Sequence, residues 1–255
     1  MEVLKFNLSG KTAFFKIPDV NTYTYFSYGH IHKVAILGIL GAILGYKGYN
    51  QQDDKDKFPE FYEKLKNIKI GIIPLGKYGS FSKKIQCFNN SVGYASYEEG
   101  GNLIVKEQWL EDVSWDIYIS LDDFSYDSKI LEITKELKER FVEKRFIYNI
   151  YLGKNDHVAN ITDVKILKAK DIKESEIVVD SLFFKGEGVE AEEEFPLEKI
   201  MGESDFWYEE GLPTEVEETS NQYISSVFIY TNKKMNIDKK KEYYKNINDK
   251  IIRFF

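Results

Sequence analysis

Residues 31–46 read IHKVAILGILGAILGY. This run is apolar on nearly every side of a helix, so we expect a buried helix from about His30 to Gly45. It is too short to span a membrane, which takes roughly 20 apolar residues. Gly38, Gly41 and Gly45 fall on one helical face, and each costs about 1 kcal/mol inside a helix. That cost indicates close approach of another backbone, expected to be a sheet or, alternatively, RNA.

The segments around this helix alternate between strand and helix patterns. Strands are predicted over 3–8, 68–76, 115–123, 146–153 and 159–167, helices from Pro59 and over 129–144, and a loop over 11–28. Residues 77–106 are rich in Gly, Ser, Asn and Tyr, which is typical of a long hairpin or arm. This order predicts an α+β fold of the ferredoxin or RNA-recognition-motif type, with helices on one face of an antiparallel sheet.

The last third of the chain has a different character. Strands are predicted at 176–184 and 223–231, on either side of an acidic segment, 186–220, interpreted as a long loop. The lysine-rich tail, 233–255, is expected to end in a short helix or in disorder. We therefore predict a ferredoxin-like domain over residues 1–170, with its arm at about 77–106, and a smaller β-rich extension over residues 171–255.

Charge is unevenly distributed along the 255 residues, whose net charge is −7. Residues 186–220 contain 13 acidic residues and one lysine, whereas residues 1–90 contain 13 lysines and 7 acidic residues. A polyanion can therefore bind the N-terminal third.

The single cysteine, Cys87, excludes an intramolecular disulfide and suits a reducing compartment. Since no secretory signal is recognisable, we expect a cytoplasmic protein without membrane contact.

The sequence contains no strong catalytic motif, such as a phosphate-binding loop or a zinc-protease signature. Its three histidines, His30, His32 and His157, have three alternative roles. In the first, they make capping or surface contacts, and in the second they contact RNA without cleaving it. In the third, one histidine is the base and Lys33 the cation of a metal-independent ribonuclease. We expect neither a metal ion nor a cofactor.

The arm combines cations, amides and aromatic rings. Lys83 and Lys84 are followed by Gln86, Phe88 and Asn89. Phosphates attract lysines, and aromatic faces stack on bases, so this composition is typical of RNA contact. A solvated loop has a similar composition and remains the alternative. The acidic run VEAEEEFPLE (189–198) is interpreted as a solvated face, or as a surface that repels stray nucleic acid or docks on a basic subunit.

Three stretches together resemble one known family. They are the opening strand with its continuation KTAFFKIP (11–18) and Asn21, the helix HKVAILGILGAILGY (32–46), and YLGKN (151–155) with the following ANI (159–161) and Asp163-Val164. Together they resemble the fifth family of CRISPR-associated proteins, within the RAMP superfamily, and its type I-B members most closely. The resemblance covers roughly residues 1–170.

The resemblance implies a RAMP fold in which the arm is a thumb-like hairpin. It implies a non-catalytic, RNA-binding subunit of a type I CRISPR Cascade surveillance complex for antiviral defence, which binds the 5′ handle of the CRISPR RNA (crRNA) and caps the backbone assembly. The implied partners are the crRNA 5′ handle, the Cascade backbone RAMP subunit, the large subunit and, through the complex, target DNA. Since one branch of the family cuts precursor crRNA, a metal-independent endoribonuclease is the alternative, and a protein–protein adaptor is the third reading.

The predicted RNA-binding residues come from the start of the chain, the helix start and the arm. They are Lys11, Lys16, Asn21, Tyr25, His30, His32, Lys33, Lys83, Lys84, Gln86 and Asn89.

Overall fold

A computed structural model describes residues 1–19, 23–53, 55–122, 128–190 and 205–255. Within them the α-helices are α1 (Lys33–Leu44), α2 (Glu60–Leu65) and α3 (Ser128–Glu143). The strands are β1 (Glu2–Ala13), β2 (Ile70–Pro74), β3 (Ser82–Asn89), β4 (Ile104–Ser120), β5 (Asn160–Lys168), β6 (Lys170–Asp171), β7 (Glu176–Val178), β8 (Phe183–Phe184), β9 (Val189–Glu190), β10 (Trp207–Val216), β11 (Tyr223–Thr231), β12 (Lys234–Asn236), β13 (Tyr244–Ile247) and β14 (Lys250–Arg253). No helix in these ranges is long and apolar enough to cross a membrane.

The central sheet has the strand order β2-β4-β1-β5, and every neighbouring pair is antiparallel. Helices α1 and α2 connect β1 to β2, and α3 connects β4 to β5, which is the topology of a ferredoxin-like fold. Alternate residues of β1, such as Leu4, Phe6 and Leu8, are buried in one core with α1 and α3. The prediction of an α+β, ferredoxin-like fold is confirmed.

Strand β4 is 17 residues long and belongs to both the central sheet and the arm. Residues 110–120 pair with β1, while residues 104–111 pair with β3, from Ser82↔Glu111 to Asn89↔Ile104. The β3–β4 hairpin is therefore the predicted projecting arm. Beside the overlap of the two regions lies Asp112, whose φ of 47° is in the left-handed range and which has no partner in the register between β4 and β1. Its carboxylate accepts a hydrogen bond from Lys11 Nζ at 2.7 Å on the surface.

The predicted buried helix is present, but its glycine face meets a helix instead of a sheet. His32 caps α1 at its N-terminus, with Nδ1 accepting the Ala35 N–H at 3.2 Å, and Gly45 ends it with φ at 82°. A Cβ on Gly41 would lie 2.5 Å from the Cβ of Phe61 in α2. The expectation of a sheet was wrong, and at Gly41 the Phe61 side chain also occupies the space that an RNA backbone would need.

Two predicted elements of the first domain differ from those observed. Residues 146–153 were predicted as a strand but form only the isolated bridge Tyr151↔Val158. The N–H groups of Ile147 and Tyr148 instead donate to the carbonyls of Ile43 and Ala42 at the end of α1. This segment therefore satisfies the free carbonyls of a helix terminus. The predicted loop over 11–28 begins later than expected, because β1 continues to Ala13 along β4.

The C-terminal part contains more strand than predicted. The acidic segment includes β10, nine of whose residues pair with β11, and residues 191–204 of that segment lie outside the described residues. The tail forms β12, a short 3-10 helix over Asp238–Tyr243, β13 and β14. It ends in a strand and not in a helix or in disorder, because its apolar residues Ile247, Ile252 and Phe254 are buried against Val3 and Tyr118 of the central sheet. The predicted strand at 176–184 is divided into β7 and β8.

The described C-terminal strands are joined to the first domain by a shared core. Leu212, Val216 and Phe228 belong to the same buried cluster as α1. The Tyr62 hydroxyl of α2 accepts the Val216 N–H at 2.9 Å. Near the last strand, the guanidinium of Arg253, only 4% exposed, donates two hydrogen bonds of 2.6 Å to the Glu187 carboxylate.

The contact between α1 and α2 predicts opposite effects for two similar substitutions. Gly41→Ala should lower the free energy of unfolding by about 1–3 kcal/mol, because the new methyl group overlaps Phe61. Gly38→Ala is the matched control, since its methyl group would lie an ordinary 3.9 Å from the Phe61 ring and should raise stability by up to about 1 kcal/mol. Urea denaturation followed by circular dichroism measures both; equal changes would contradict the proposed constraint.

Candidate nucleic-acid interface

The arm has two chemically different faces, because side chains alternate along a strand. Lys83, Ile85, Cys87 and Asn89 are exposed on what we call the outer face. Lys84, Gln86 and Phe88 are partly buried on the inner face, and their cross-strand partners on β4 are Trp109, Glu107 and Val105. The predicted arm residues are therefore divided between two surfaces, with Lys84 and Gln86 on the inner one.

The inner face is organised around the carboxylate of Glu107, which is only 6% exposed. Glu107 accepts hydrogen bonds from Trp109 Nε1 at 2.8 Å and from Lys154 Nζ at 3.1 Å. The Lys154 ammonium also lies 5.4 Å from the centre of the Phe88 ring. Lys84 forms an ion pair of 3.0 Å with Glu111, and its ammonium lies 5.8 Å from the Trp109 ring. Cations and aromatic faces thus share one surface.

Sequence reasoning did not name Lys154 as a site residue, although the pentapeptide YLGKN (151–155) that contains it was noted. Gly153 has a φ of 89°, and a Cβ there would lie 1.9 Å from the Phe14 carbonyl oxygen. Only glycine fits this turn, which places Lys154 beside the arm. A glycine directly before a lysine in a short turn was the available signal.

The loop after β1 docks on the base of the arm. Tyr25 forms a parallel bridge with Glu107, through hydrogen bonds of 2.9 Å from its N–H to the Lys106 carbonyl and from the Gln108 N–H to its own carbonyl. The exposed Lys16 places its ammonium 4.0 Å from the centre of the Tyr25 ring. The structure therefore brings two predicted residues of the loop next to two predicted residues of the arm.

We call this surface the arm-base cluster. It consists of Lys16, Tyr25, Lys84, Gln86, Phe88, Glu107, Trp109 and Lys154. Further out, the tip of the arm carries Tyr94 and Tyr97, which are 78% and 89% exposed. Within the arm-base cluster, aromatic rings next to lysines allow base stacking together with phosphate contact.

The C-terminal part supports the loop from the other side. The Glu210 carboxylate of β10 accepts the Gly29 N–H at 2.8 Å and the Tyr208 hydroxyl at 2.8 Å. Burial raises the pKa of Glu210, and the two hydrogen bonds oppose that rise. A Cβ on Gly29 would lie 2.3 Å from the Tyr208 hydroxyl oxygen, so the loop lies tightly against β10.

The structure places the predicted histidines in the core. His30 and His32 are 0% and 4% exposed, and burial lowers the pKa of each to about 3. His30 Nδ1 accepts from Trp115 Nε1 at 3.3 Å, while its Nε2 lies near the Gly79 backbone without a hydrogen bond of regular geometry. Both rings are neutral at pH 7 and closed off from solvent. Neither His30 nor His32 can therefore contact RNA in this structure.

The other predicted residues lie apart from the arm-base cluster. Lys83 and Asn89 are on the outer face of the arm, and Asn89 accepts the Ser91 N–H at 2.9 Å. Lys11 is exposed and paired with Asp112. Lys33 is 9% exposed and lines a separate cleft. Asn21 lies outside the described residues.

Comparison with known proteins gives structural likeness only. No protein-family model and no curated protein matches the sequence. A chain of a "CRISPR RNA-guided surveillance complex" is 9% identical, with 91% of this chain and 90% of that chain covered, at a TM-score of 0.54. The two share a fold. At this identity the likeness bears on architecture, and it agrees with the ferredoxin-like topology.

Two further solved structures resemble this chain at TM-scores below 0.5. A CRISPR protein from Archaeoglobus fulgidus is 9% identical, covers 99% of this chain and 98% of that one, and has a TM-score of 0.49. A chain of the type III-B Cmr-beta complex bound to cognate target RNA and AMPPnP is 11% identical, covers 93% and 86%, and has a TM-score of 0.48.

The buried histidines predict acid sensitivity with a definite sign. A ring whose folded-state pKa lies below its unfolded value stabilises fully above about pH 6.5, and this contribution is lost as pH falls toward the folded value. His32→Asn keeps a side-chain acceptor for the N-cap but removes the titration. Between pH 7 and pH 5 the variant should lose about 2 kcal/mol less unfolding free energy than the parent. Urea denaturation at both pH values measures this, and identical losses would exclude His32 as a source.

Proposed function

We propose that this chain is a non-catalytic subunit of a CRISPR RNA-guided effector complex of the type I Cascade kind. In this role it binds the 5′ handle of the crRNA and caps the backbone assembly. The observation that carries the proposal is the arm-base cluster, where lysines and aromatic rings share the inner face of a projecting hairpin. The fold that this chain shares with a chain of a CRISPR RNA-guided surveillance complex supports the proposal that it works in such a complex.

The chemistry of the cluster suits single-stranded RNA. Lys16, Lys84 and Lys154 can contact phosphates, and Tyr25 and Trp109 offer ring faces to unstacked bases. Glu107 holds Lys154 in place through its hydrogen bonds, so part of the entropy cost of ordering a lysine is met before RNA binds. The cluster therefore supports recognition of a short, splayed RNA segment such as a handle.

The exposed apolar residues of the arm support contact with neighbouring subunits. They are Ile85, Val92, Tyr94, Tyr97, Leu103 and Ile104. Contiguous exposed apolar surface is typical of protein interfaces. We assign these residues to contact with the backbone RAMP subunit, and we place the large subunit and, through the complex, the target DNA among the further partners. A complex of this kind operates in the cytoplasm.

The endoribonuclease alternative receives less support from the structure. It requires a histidine that reaches RNA and exchanges a proton near neutral pH. All three histidines of the chain are at most 4% exposed, and burial lowers the pKa of each. Cleavage by this route would need the core around a histidine to open.

The two faces of the arm provide the test. Lys84→Ala/Lys154→Ala removes two cations from the inner face, and Lys83→Ala/Lys106→Ala removes two from the outer face. We expect the inner-face variant to weaken binding of handle-containing crRNA at least tenfold and to reduce the salt slope by about 1.4, as for two lost phosphate contacts. The outer-face variant should change affinity by less than about threefold. Gel-shift titrations at several salt concentrations, with circular dichroism as a folding control, measure both.

Two outcomes would contradict the proposal. Equal weakening by the two variants would mean that RNA follows net charge and not the arm-base cluster. Specific cut products, formed in EDTA by the protein alone and seen on a denaturing gel, would make the endoribonuclease the primary function.

A further inference from the structure

A second basic site lies at the other end of β4 from the arm. A cleft of about 670 Å³ opens there, with Lys33, Tyr62, Lys66, Lys69, Ser120 and Ile130 among its lining residues. Ser120 is 13 residues from Glu107 along β4, which corresponds to about 40 Å of extended strand. The cleft is therefore separate from the arm-base cluster.

Lys33 is the unusual residue of this cleft. It is the first residue of α1 and is 9% exposed, so its side chain is almost completely removed from solvent. Buried lysines are normally paired with a carboxylate. Among the described residues, however, the Lys33 ammonium has neither an ion-pair partner nor a hydrogen-bond partner. Burial lowers its pKa to about 8, so it still carries its charge at pH 7.

No carboxylate of the described residues lies within ion-pair distance of Lys33, and more distant charges act on its pKa in both directions. Lys69, partly buried in the same cleft, also has no ion pair within the described part of the chain, and its pKa is lowered by burial and by the nearby Arg253. Lys66 is paired with Glu63, and on the acidic side Glu218 is paired with Lys57.

Two other carboxylates line the cleft. Asp122 accepts the Glu2 N–H at 2.8 Å, and Glu215 acts on Lys33 only from beyond ion-pair distance. The cleft thus holds two lysines, Lys33 and Lys69, that form no ion pair within the described residues, although Glu215 acts on both of them from a greater distance.

The other walls of the cleft have the size and character of a small-molecule site. Its volume falls within the range of about 300–1,000 Å³ that such sites occupy. Phe58 and Tyr62, whose ring centres are 5.1 Å apart, form an aromatic wall, and Ile130 adds an apolar one. An inorganic phosphate would fill only part of this space. The carboxylates around it disfavour a long polyanion that crosses the cleft.

We propose that this cleft binds a nucleotide through its phosphate, with Lys33 and Lys69 as the phosphate ligands and the Phe58–Tyr62 wall beside the base or sugar. The nucleotide is either a free mononucleotide or one nucleotide of a strand that ends in the cleft. This site is independent of the arm-base cluster and of the function proposed for it.

The test uses the full chain with the arm variant Lys84→Ala/Lys154→Ala as background, so that RNA binding at the arm does not contribute. Isothermal titration with AMP, UMP, inorganic phosphate and a short 5′-phosphorylated oligonucleotide gives the affinities. Lys33→Met should weaken nucleotide binding at least tenfold, and Lys69→Met should also weaken it. Lys64→Met is the matched control, because Lys64 lies on the same helix as Tyr62 but is paired with Glu60 and is not among the residues that line the cleft, and it should change affinity by less than threefold.

The outcomes distinguish a free nucleotide from the end of a nucleic-acid strand, and either of them from the absence of a nucleotide site. Saturable, Lys33-dependent binding of AMP or UMP supports a free nucleotide, whereas Lys33-dependent binding of the oligonucleotide alone supports a strand end. Lys33→Arg keeps the charge and should retain binding, which guards against a folding defect in Lys33→Met. The proposal is overturned if no probe binds in a Lys33-dependent manner, if inorganic phosphate binds as tightly as the nucleotides, or if Lys64→Met loses as much affinity as Lys33→Met.

Discussion

The continuous backbone pairing of β4 is the constraint on which the rest of the structure depends. One end of this strand lies between β1 and β2 in the central sheet, and the other end pairs with β3 as the arm. Because one strand serves both, the arm is anchored in the buried core and cannot rotate freely as a loop would. The loop with Tyr25 bonds to the same strand at Glu107, so the arm-base cluster is assembled on a rigid element.

The C-terminal strands form three small sheets with a buried cluster of their own, and they also support this arrangement. Glu210 of β10 fixes the loop at Gly29, and Val216 donates to Tyr62 of α2. Arg253 and Glu187 form a buried, doubly hydrogen-bonded pair near the last strand. Breaking such a pair on one side leaves an uncompensated charge in the interior. The second half of the chain therefore stabilises the surface that the first half presents.

Sequence patterns predicted the fold well where the apolar residues had a strong helix or strand period. They predicted it less well where contacts between distant parts of the chain determine the local structure. The helix around Gly41 and most of the order of strands and helices along the first 170 residues were predictable, since apolar spacing and turn composition determine them. The role of residues 147–148 was not predictable, because their N–H groups satisfy carbonyls of a helix that lies a hundred residues earlier. The strands of the tail were not predicted, because its many lysines outweighed the few apolar residues that become buried, Ile247, Ile252 and Phe254. Lys84 and Gln86 could be placed on one arm face from the period of a strand, but the burial of His30, His32 and Lys33 depends on long-range packing.

Asp112 gives the arm a direction that depends on very little of the chain. It has left-handed backbone geometry close to the end of the pairing between β4 and β1, which runs to Leu110. Non-glycine residues adopt this geometry infrequently, and aspartate does so more readily than most. Since Ile104 lies eight residues away, about 25 Å along the strand, a change of 10° at Asp112 would move the outer end of β4 by about 4 Å. A different residue at position 112 would therefore redirect the arm, and the contacts of Glu107 with Tyr25 and Lys154 would have to adjust to the new direction.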